Sequence, residues 1–471
     1  MPEYDLILRG GRVIDAAQGL DAIADVAIAE GRVAAIGPSL PGRAAREEAV
    51  DGLAVIPGIV DMHVHLSPWL GGAAGHRMLA RAGVTTALDM AGPIEGVVEI
   101  ARTDGAGLNV ACINYARPGH TVGSTDPGDG ELRDLFARSL EQGALGVKLL
   151  GGHFPMTPEA TARTIAIAEE LGAYVAFHAG TTLYGSNIEG MAEACMLAEG
   201  RPLHLAHINS YTRGLIRDAA AEGEEALSLL ADNPNIISES YLSPINGTAG
   251  TCADGIPESR QTRTWLEVGG YRATDAGLAD AIAAGWALLN VERDGVIVLE
   301  TGEDAVATWR AAGTRLGVSF RANPPEPRLR LATARRPDGL FAVDALATDG
   351  GGIPRNVIVP MGLALVRLEA WTMTDFVEKA CRAPAAALGL GEKGHLGVGA
   401  DADITVLDLN RSEAVQTIVA GSTIMRDGVV SGHGSRLVTT PQGAGAADAA
   451  GVAGPVVALG AMLKRTRVSQ G

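Results

Sequence analysis

The chain has 471 residues, 47% of them apolar and only 4% aromatic, with 62 glycines. That composition excludes a disordered or fibrous protein and suits a tightly packed α/β one longer than a single ordinary domain. A net charge of −17 argues against nucleic-acid and anionic-membrane partners.

The opening M-P-E-Y-D-L lacks a signal-peptide pattern, and no apolar run approaches the roughly 18 residues of a membrane span, so a soluble cytoplasmic protein is expected. Cys112, Cys195, Cys252 and Cys381 form no C-x-x-C, which predicts reduced thiols without a disulfide framework or zinc knuckle.

Residues 4 to 56 read as short strands broken by turns, with Gly10-Gly11 and Glu30-Gly31 as hairpin signals. Matching strands recur at 402–409, 415–421 and 422–428. Residues 1–56 plus 390–432 are therefore expected to form one small β-sandwich domain from both chain ends, closing edge strands on each other. Between them, over 57–389, strand and helix signals alternate as in a parallel sheet. Strand ends fall at His63/His65, 85–91, 109–116, 145–150, 174–180, 203–210, 236–242 and 341–351, with helical spacing at 128–142, 157–171, 187–199 and 373–389. Eight strands predict an α/β fold with a (β/α)8 TIM-like barrel, its active site at the strands' C-terminal ends. Residues 243–339 exceed one βα unit and predict an insertion over the mouth. Residues 433–471 are expected to form a C-terminal appendage, packed on the barrel or on a neighbouring subunit, with a short apolar helix at 456–467.

The stretch V-I-P-G-I-V-D-M-H-V-H-L ends an apolar strand with two histidines at i and i+2, which share one face; Asp61 joins them there. Later strand ends carry Lys148, His178, His207 and Asp349. Six metal-type side chains on one barrel rim predict a metal site. Taken singly, His178 or His207 reads as a core histidine, and Asp349 as a turn residue before three glycines. Lys148 is one of only 4 lysines against 34 arginines and lies in the apolar strand G-V-K-L-L. A buried ammonium is costly and repels a cation, which leaves a neutral amine or a carbamate formed with carbon dioxide.

The motifs P-G-I-V-D-M-H-V-H-L, G-V-K-L-L, F-H-A-G, L-A-H-I-N-S and A-T-D-G-G resemble the amidohydrolase superfamily, of the hydantoinase, dihydroorotase and D-aminoacylase type. The opening D-L-I-L-R-G-G-R-V-I-D and the segment from Met373 into the last strands extend the resemblance over nearly the whole chain. It implies a hydrolase with two divalent metal ions, by default zinc. His63, His65 and Asp349 would hold one, His178 and His207 the other, with an N6-carboxylated Lys148 as bridge. A metal-bridging hydroxide would attack the amide carbonyl, with Asp349 accepting its proton and passing it to the departing nitrogen.

Hydantoinases that this chain resembles place an oxyanion-donating tyrosine five residues after the bridging lysine, where this chain has His153; a cyclic diamide is then less suited. His120, in P-G-H-T, resembles a D-aminoacylase motif and is a second donor candidate. L-H-L-A-H-I-N-S-Y-T-R-G and I-N-G-T-A-G-T-C-A-D-G look like parts of formylmethanofuran dehydrogenase, in its component that is an N-formyl amide hydrolase of the same superfamily, which implies a linear N-acyl or N-formyl amide. Asn209, Tyr211, Arg213 and Arg260 are then substrate-binding candidates, arginine matching a carboxylate. The partner expected is a small-molecule amide, and the assembly a homo-oligomer, dimer or tetramer. The alternatives are a mononuclear amino-heterocycle deaminase of the same fold, against which Lys148 weighs, and a non-catalytic dihydropyrimidinase-like scaffold.

Overall fold

The computed structural model describes residues 3–90 and 92–466. Both chain ends enter a single nine-stranded sheet. Strand Ala54–Pro57 pairs antiparallel with Ile404–Asp408, so the first and last thirds of the chain meet through backbone hydrogen bonds. Side chains alternate across these strands. Val13, Val55, Ile404 and Val406 fill a core within the sheet module, while Ile14, Ala54, Ile56 and Leu407 face a second core shared with Ile59, Val84 and Ala87.

The Glu30-Gly31 hairpin forms, both residues left-handed with φ of 52° and 73°. The Gly10-Gly11 hairpin does not. Strand Tyr4–Asp15 runs through it as a β-bulge and turns only after Asp15, which pairs with Leu20. Gly10 has φ of 72°, and a Cβ there would lie 2.6 Å from Asp51 Oδ1, so the glycines serve a bulge rather than a turn.

The middle of the chain supplies eight strand positions, all parallel to their neighbours: Ile59–His65, Val84–Asp89, Ala106–Cys112 continuing as Asn114–Ala116, Gly146–Leu150, Tyr174–His178, Leu203–Leu205, Ile236–Ser240, and Ala345–Leu346 continuing as Gly350–Gly351. They fall into two sheets that share the third and eighth positions. Asn114–Ala116 pairs with the fourth strand, whereas Ala106–Cys112 pairs with the second. Helices Asp129–Glu141, Pro158–Leu171 and Ile188–Ala198 lie where the spacing puts them, the last two capped by Thr157 and Asn187.

Strand division at Ile113 is explained by the C-terminal segment. In that segment Gly434–Thr439 lies parallel against Ala106–Cys112, and Ala453–Val456 against Gly434–Thr439. The apolar helix expected at 456–467 is absent over the described part. Gly460 and Leu463 take φ of 75° and 58°, which no right-handed helix accommodates, and this stretch instead bonds to the C-terminal ends of two helices, Gly460 N to Gly172 O and Leu463 N to Ala387 O.

The insertion is a unit of its own within 243–339. Strands Asn246–Ala249, Gly317–Phe320, Ala287–Arg293 and Val296–Glu300 make an antiparallel sheet, and helices Arg260–Val268, Asp275–Ala283 and Glu303–Ala311 close a core of Trp265, Leu278, Ile282, Trp309 and Phe320. The stretch expected as one helix at 373–389 begins at Met373 behind a Thr372/Asp375 capping box and passes through a π-helical turn, Glu378–Arg382. That turn buries Lys379, whose ammonium donates to Ala332 O and Val343 O at 3.1 and 2.8 Å and sits 4.3 Å over the Phe341 ring. Among the described residues no helix is long and apolar enough to cross a membrane. All four cysteines are free.

Candidate metal centre

Period-two alternation places Asp61, His63 and His65 on one face of the first strand. Asp61 does not reach toward a metal. Its carboxylate accepts from the hydroxyl and backbone N–H of Thr348 at 2.5 and 3.1 Å, pinning the eighth position to the first strand. Asp349 follows, with its own N–H donated to His63 O at 2.8 Å and a left-handed φ of 51°.

One donor group results. His65 Nε2 and His63 Nε2 lie 2.8 and 3.3 Å from Asp349 Oδ1, and one ligand atom from each of the three falls within 4.8 Å of the others. Zinc–nitrogen bonds of about 2.0–2.1 Å in a tetrahedron separate neighbouring ligands by about 3.3 Å, so this donor set fits a divalent ion. A second pair lies beyond it. His178 Nδ1 and His207 Nε2 are 3.1 Å apart. Lys148, 2% exposed, brings its Nζ 3.2 Å from His63 Nε2. His65 Nδ1 and His207 Nδ1 are buried without hydrogen-bond partners.

Electrostatics suit ligation. Burial, with Lys148 adding to it, holds His63, His178 and His207 well below the usual histidine range, so all three are neutral imidazoles with lone pairs to give. Burial also pulls the Lys148 amine down to about 8, which makes a neutral, nucleophilic amine accessible near physiological pH. Burial pushes the Asp349 carboxyl up, but the Arg355 guanidinium and the hydrogen bond from His65 outweigh it and keep the group anionic.

Two residues at the centre escaped the sequence reading. Glu239, wholly buried on the seventh strand, meets His63 Nδ1 and the His207 backbone N–H, each at 2.6 Å, and burial raises it to about 8. Its signal was an acid in the apolar strand I-I-S-E-S, the same oddity that singled out Lys148. Arg355, 1% exposed, pairs Nη2 with Asp349 Oδ2 at 2.6 Å and donates Nε to Asp349 O at 2.5 Å. Nothing local in the sequence marks it.

The remaining candidates divide. The His153 ring lies 5.1 Å from that of His178 on an exposed loop. His120 is exposed and stacks on Tyr115, with ring centroids 5.7 Å apart. Asn209 Oδ1 accepts from Tyr241 N, and the Tyr211 hydroxyl accepts from Ala179 N with its ring 5.6 Å from His207; both are buried and brace the ligand strands. Arg213 is half-buried, donating to Asn323 Oδ1, Ser210 Oγ and the Tyr241 hydroxyl at 2.9, 3.0 and 3.1 Å. Arg260 is exposed on the first turn of an insertion helix.

Residues 331–433 match the Amidohydrolase family. An allantoinase of Solibacter usitatus (strain Ellin6076) is 27% identical over 456 residues, 88% of this chain and 86% of that protein. Among solved structures, the formyltransferase/hydrolase complex from Methylorubrum extorquens with methylofuran superposes at a TM-score of 0.65 and 19% identity, over 92% of this chain and 91% of that one. A D-aminoacylase with a binuclear metal center gives 0.64 at 17%, over 91% and 98%. At such identities the structural likeness is one of fold, the TIM-barrel with β-sandwich. The family match over residues 331–433 and the likeness to an allantoinase along most of the chain support the amidohydrolase superfamily. These sequence matches indicate a hydrolase acting on carbon–nitrogen bonds other than peptide bonds, with His63, His65 and Asp349 as its candidate metal site.

Proposed function

We propose that the protein hydrolyses the C–N bond of an N-acyl or N-formyl amide, or of a cyclic amide, at a centre for two divalent metal ions, with zinc the natural occupant. The observation that carries this reading is the placement of Lys148, whose Nζ approaches His63 in one donor group while His178 and His207 form a second. As a carbamate, Lys148 offers two oxygens, enough to serve both groups. When bound, such ions acidify a water to near-neutral pKa and polarise the amide carbonyl.

The chain's own residues do the rest. Asp349, anchored by Arg355 through Oδ2, keeps Oδ1 on the side of His63 and His65, where it accepts the water's proton and returns it to the leaving nitrogen. His153, beside His178, is the donor placed to meet a developing oxyanion. Arg213, preorganised by Ser210, Tyr241 and Asn323, is placed to orient a substrate carboxylate. The two parallel sheets, joined through the third and eighth positions, form one eight-stranded barrel around this centre.

Likeness to an allantoinase over most of the chain supports a ring amide, and the fold shared with a formyltransferase/hydrolase complex supports an N-formyl one. The test is metal content per chain after loading with zinc and bicarbonate, for wild type and Lys148→Ala, followed by a panel of allantoin, hydantoins, dihydroorotate, N-acyl-D-amino acids and N-formyl compounds. Two ions, falling with the substitution, and turnover of one amide class are expected. One ion unaffected by Lys148, with ammonia released from amino-heterocycles, would turn the reading to a deaminase.

A further inference from the structure

One oxygen of Glu239 serves both halves of the centre. Oε1 lies 2.6 Å from His63 Nδ1, in the first donor group, and 2.6 Å from the backbone nitrogen of His207, in the second. We propose that Glu239 is a positioning residue that couples the two metal sites, a role that rests on the dinuclear reading above.

Each contact does something definite. A neutral imidazole carries one N–H. With that proton on Nδ1 and given to Glu239, the lone pair of His63 sits on Nε2, the atom that faces Lys148 at 3.2 Å and Asp349 at 3.3 Å. His207 has φ of 39° and ψ of 61°, a left-handed conformation uncommon outside glycine, and the bond to Glu239 holds its N–H there. Loss of the acceptor would strand that N–H in the protein interior and free the imidazole to leave the position facing His178. Glu239 is itself fixed in place, wholly buried on the strand beside the one that leads to His207. Behind it stand His204, 3.6 Å away, and Tyr174, bonded to His204 at 2.8 Å. The glutamate reaches from the seventh strand to ligands of the first and sixth.

Reach and the carboxyl group itself can be separated by substitution. Glu239→Asp keeps the carboxyl group but is one methylene short, whereas Glu239→Gln keeps the reach and a carbonyl acceptor but replaces the carboxyl group. Zinc affinity and stoichiometry are measured by competition with a chromophoric chelator and by elemental analysis, with thermal unfolding of the metal-free proteins alongside. Wild type is expected to hold two ions and Glu239→Gln to stay close to it. Glu239→Asp and Glu239→Ala are expected to lose roughly 10–100-fold in affinity, for both ions together. Should Glu239→Ala fail to fold, the Asp and Gln variants decide. Wild-type affinity in Glu239→Asp, an equal loss in Glu239→Gln, or a loss confined to one ion overturns the coupling. Fewer than two ions in wild type overturns the dinuclear reading and the coupling with it, an outcome visible before any variant is made.

Discussion

Asp349 is held through its backbone conformation, its N–H and both carboxylate oxygens. Its backbone is left-handed, its N–H is bonded to the first strand, and its carboxylate is divided between Arg355 and the two histidines. Replacing it by alanine is expected to lower kcat by about 10²–10⁴-fold on the best substrate of the panel, with KM changing less, as steady-state kinetics would read. Arg355→Met leaves the carboxylate buried without its cation, and a loss of about 3–5 kcal/mol in denaturant unfolding of the metal-free protein is expected. Arg355→Lys should recover only part, since a compact ammonium lacks the planar fork whose separate nitrogens meet the side chain and the carbonyl of Asp349. At this scale the sequence shows where a metal-type side chain lies wherever it stands at a strand end, because the strand period and the apolar flanks fix its face. His63, His65, Lys148, His178 and His207 fall under that rule. Glu239 falls under it too, as an acid set in the apolar strand I-I-S-E-S. Arg355 depends on how residues 351–357 fold back, which no periodicity encodes.

Among the elements, the closing helix holds the least expected group. Burial lowers the Lys379 amine to about 7, outweighing the carboxylates of Asp344 and Asp375. Unfolded, the same amine titrates near 10.4. Between about pH 7 and pH 10 the unfolded chain therefore binds a proton that the native one does not, and stability from this residue rises with pH. Lys379→Met removes that dependence. Its thermal midpoint relative to wild type should be highest near pH 7 and fall steadily toward pH 10; a pH-independent difference would show that the amine is charged in the native protein. Helices were legible from their spacing and strands from their apolar runs. What escaped was local chirality, a bulge where Gly10-Gly11 suggested a turn and left-handed residues at Gly460 and Leu463 where apolar spacing suggested a helix.

For the whole molecule, topology joins what sequence distance separates. The nine-stranded sheet needs residues 54–57 and 404–407, and the lower half of the third strand needs 434–439. A chain cut after residue 432 would leave the edge of Ala106–Cys112 unpaired and remove Leu437, Val438, Val452 and Val457 from the core, at about 1.5–3 kcal/mol per side chain. Low soluble yield and a lowered thermal midpoint are expected for it, compared with the full chain. The C-terminal strands were the part least legible in the sequence, since a Gly/Ala-rich stretch carries little periodicity and their partner lies more than 300 residues earlier. That same distance has a consequence on the ribosome. At about 5–20 residues per second, the edge of Ala106–Cys112 waits roughly 15 to 60 s for its partner to be synthesised. During that interval the nascent chain displays an apolar strand edge with nothing to cover it, so its yield in a cell should track the supply of chaperones that shield such edges.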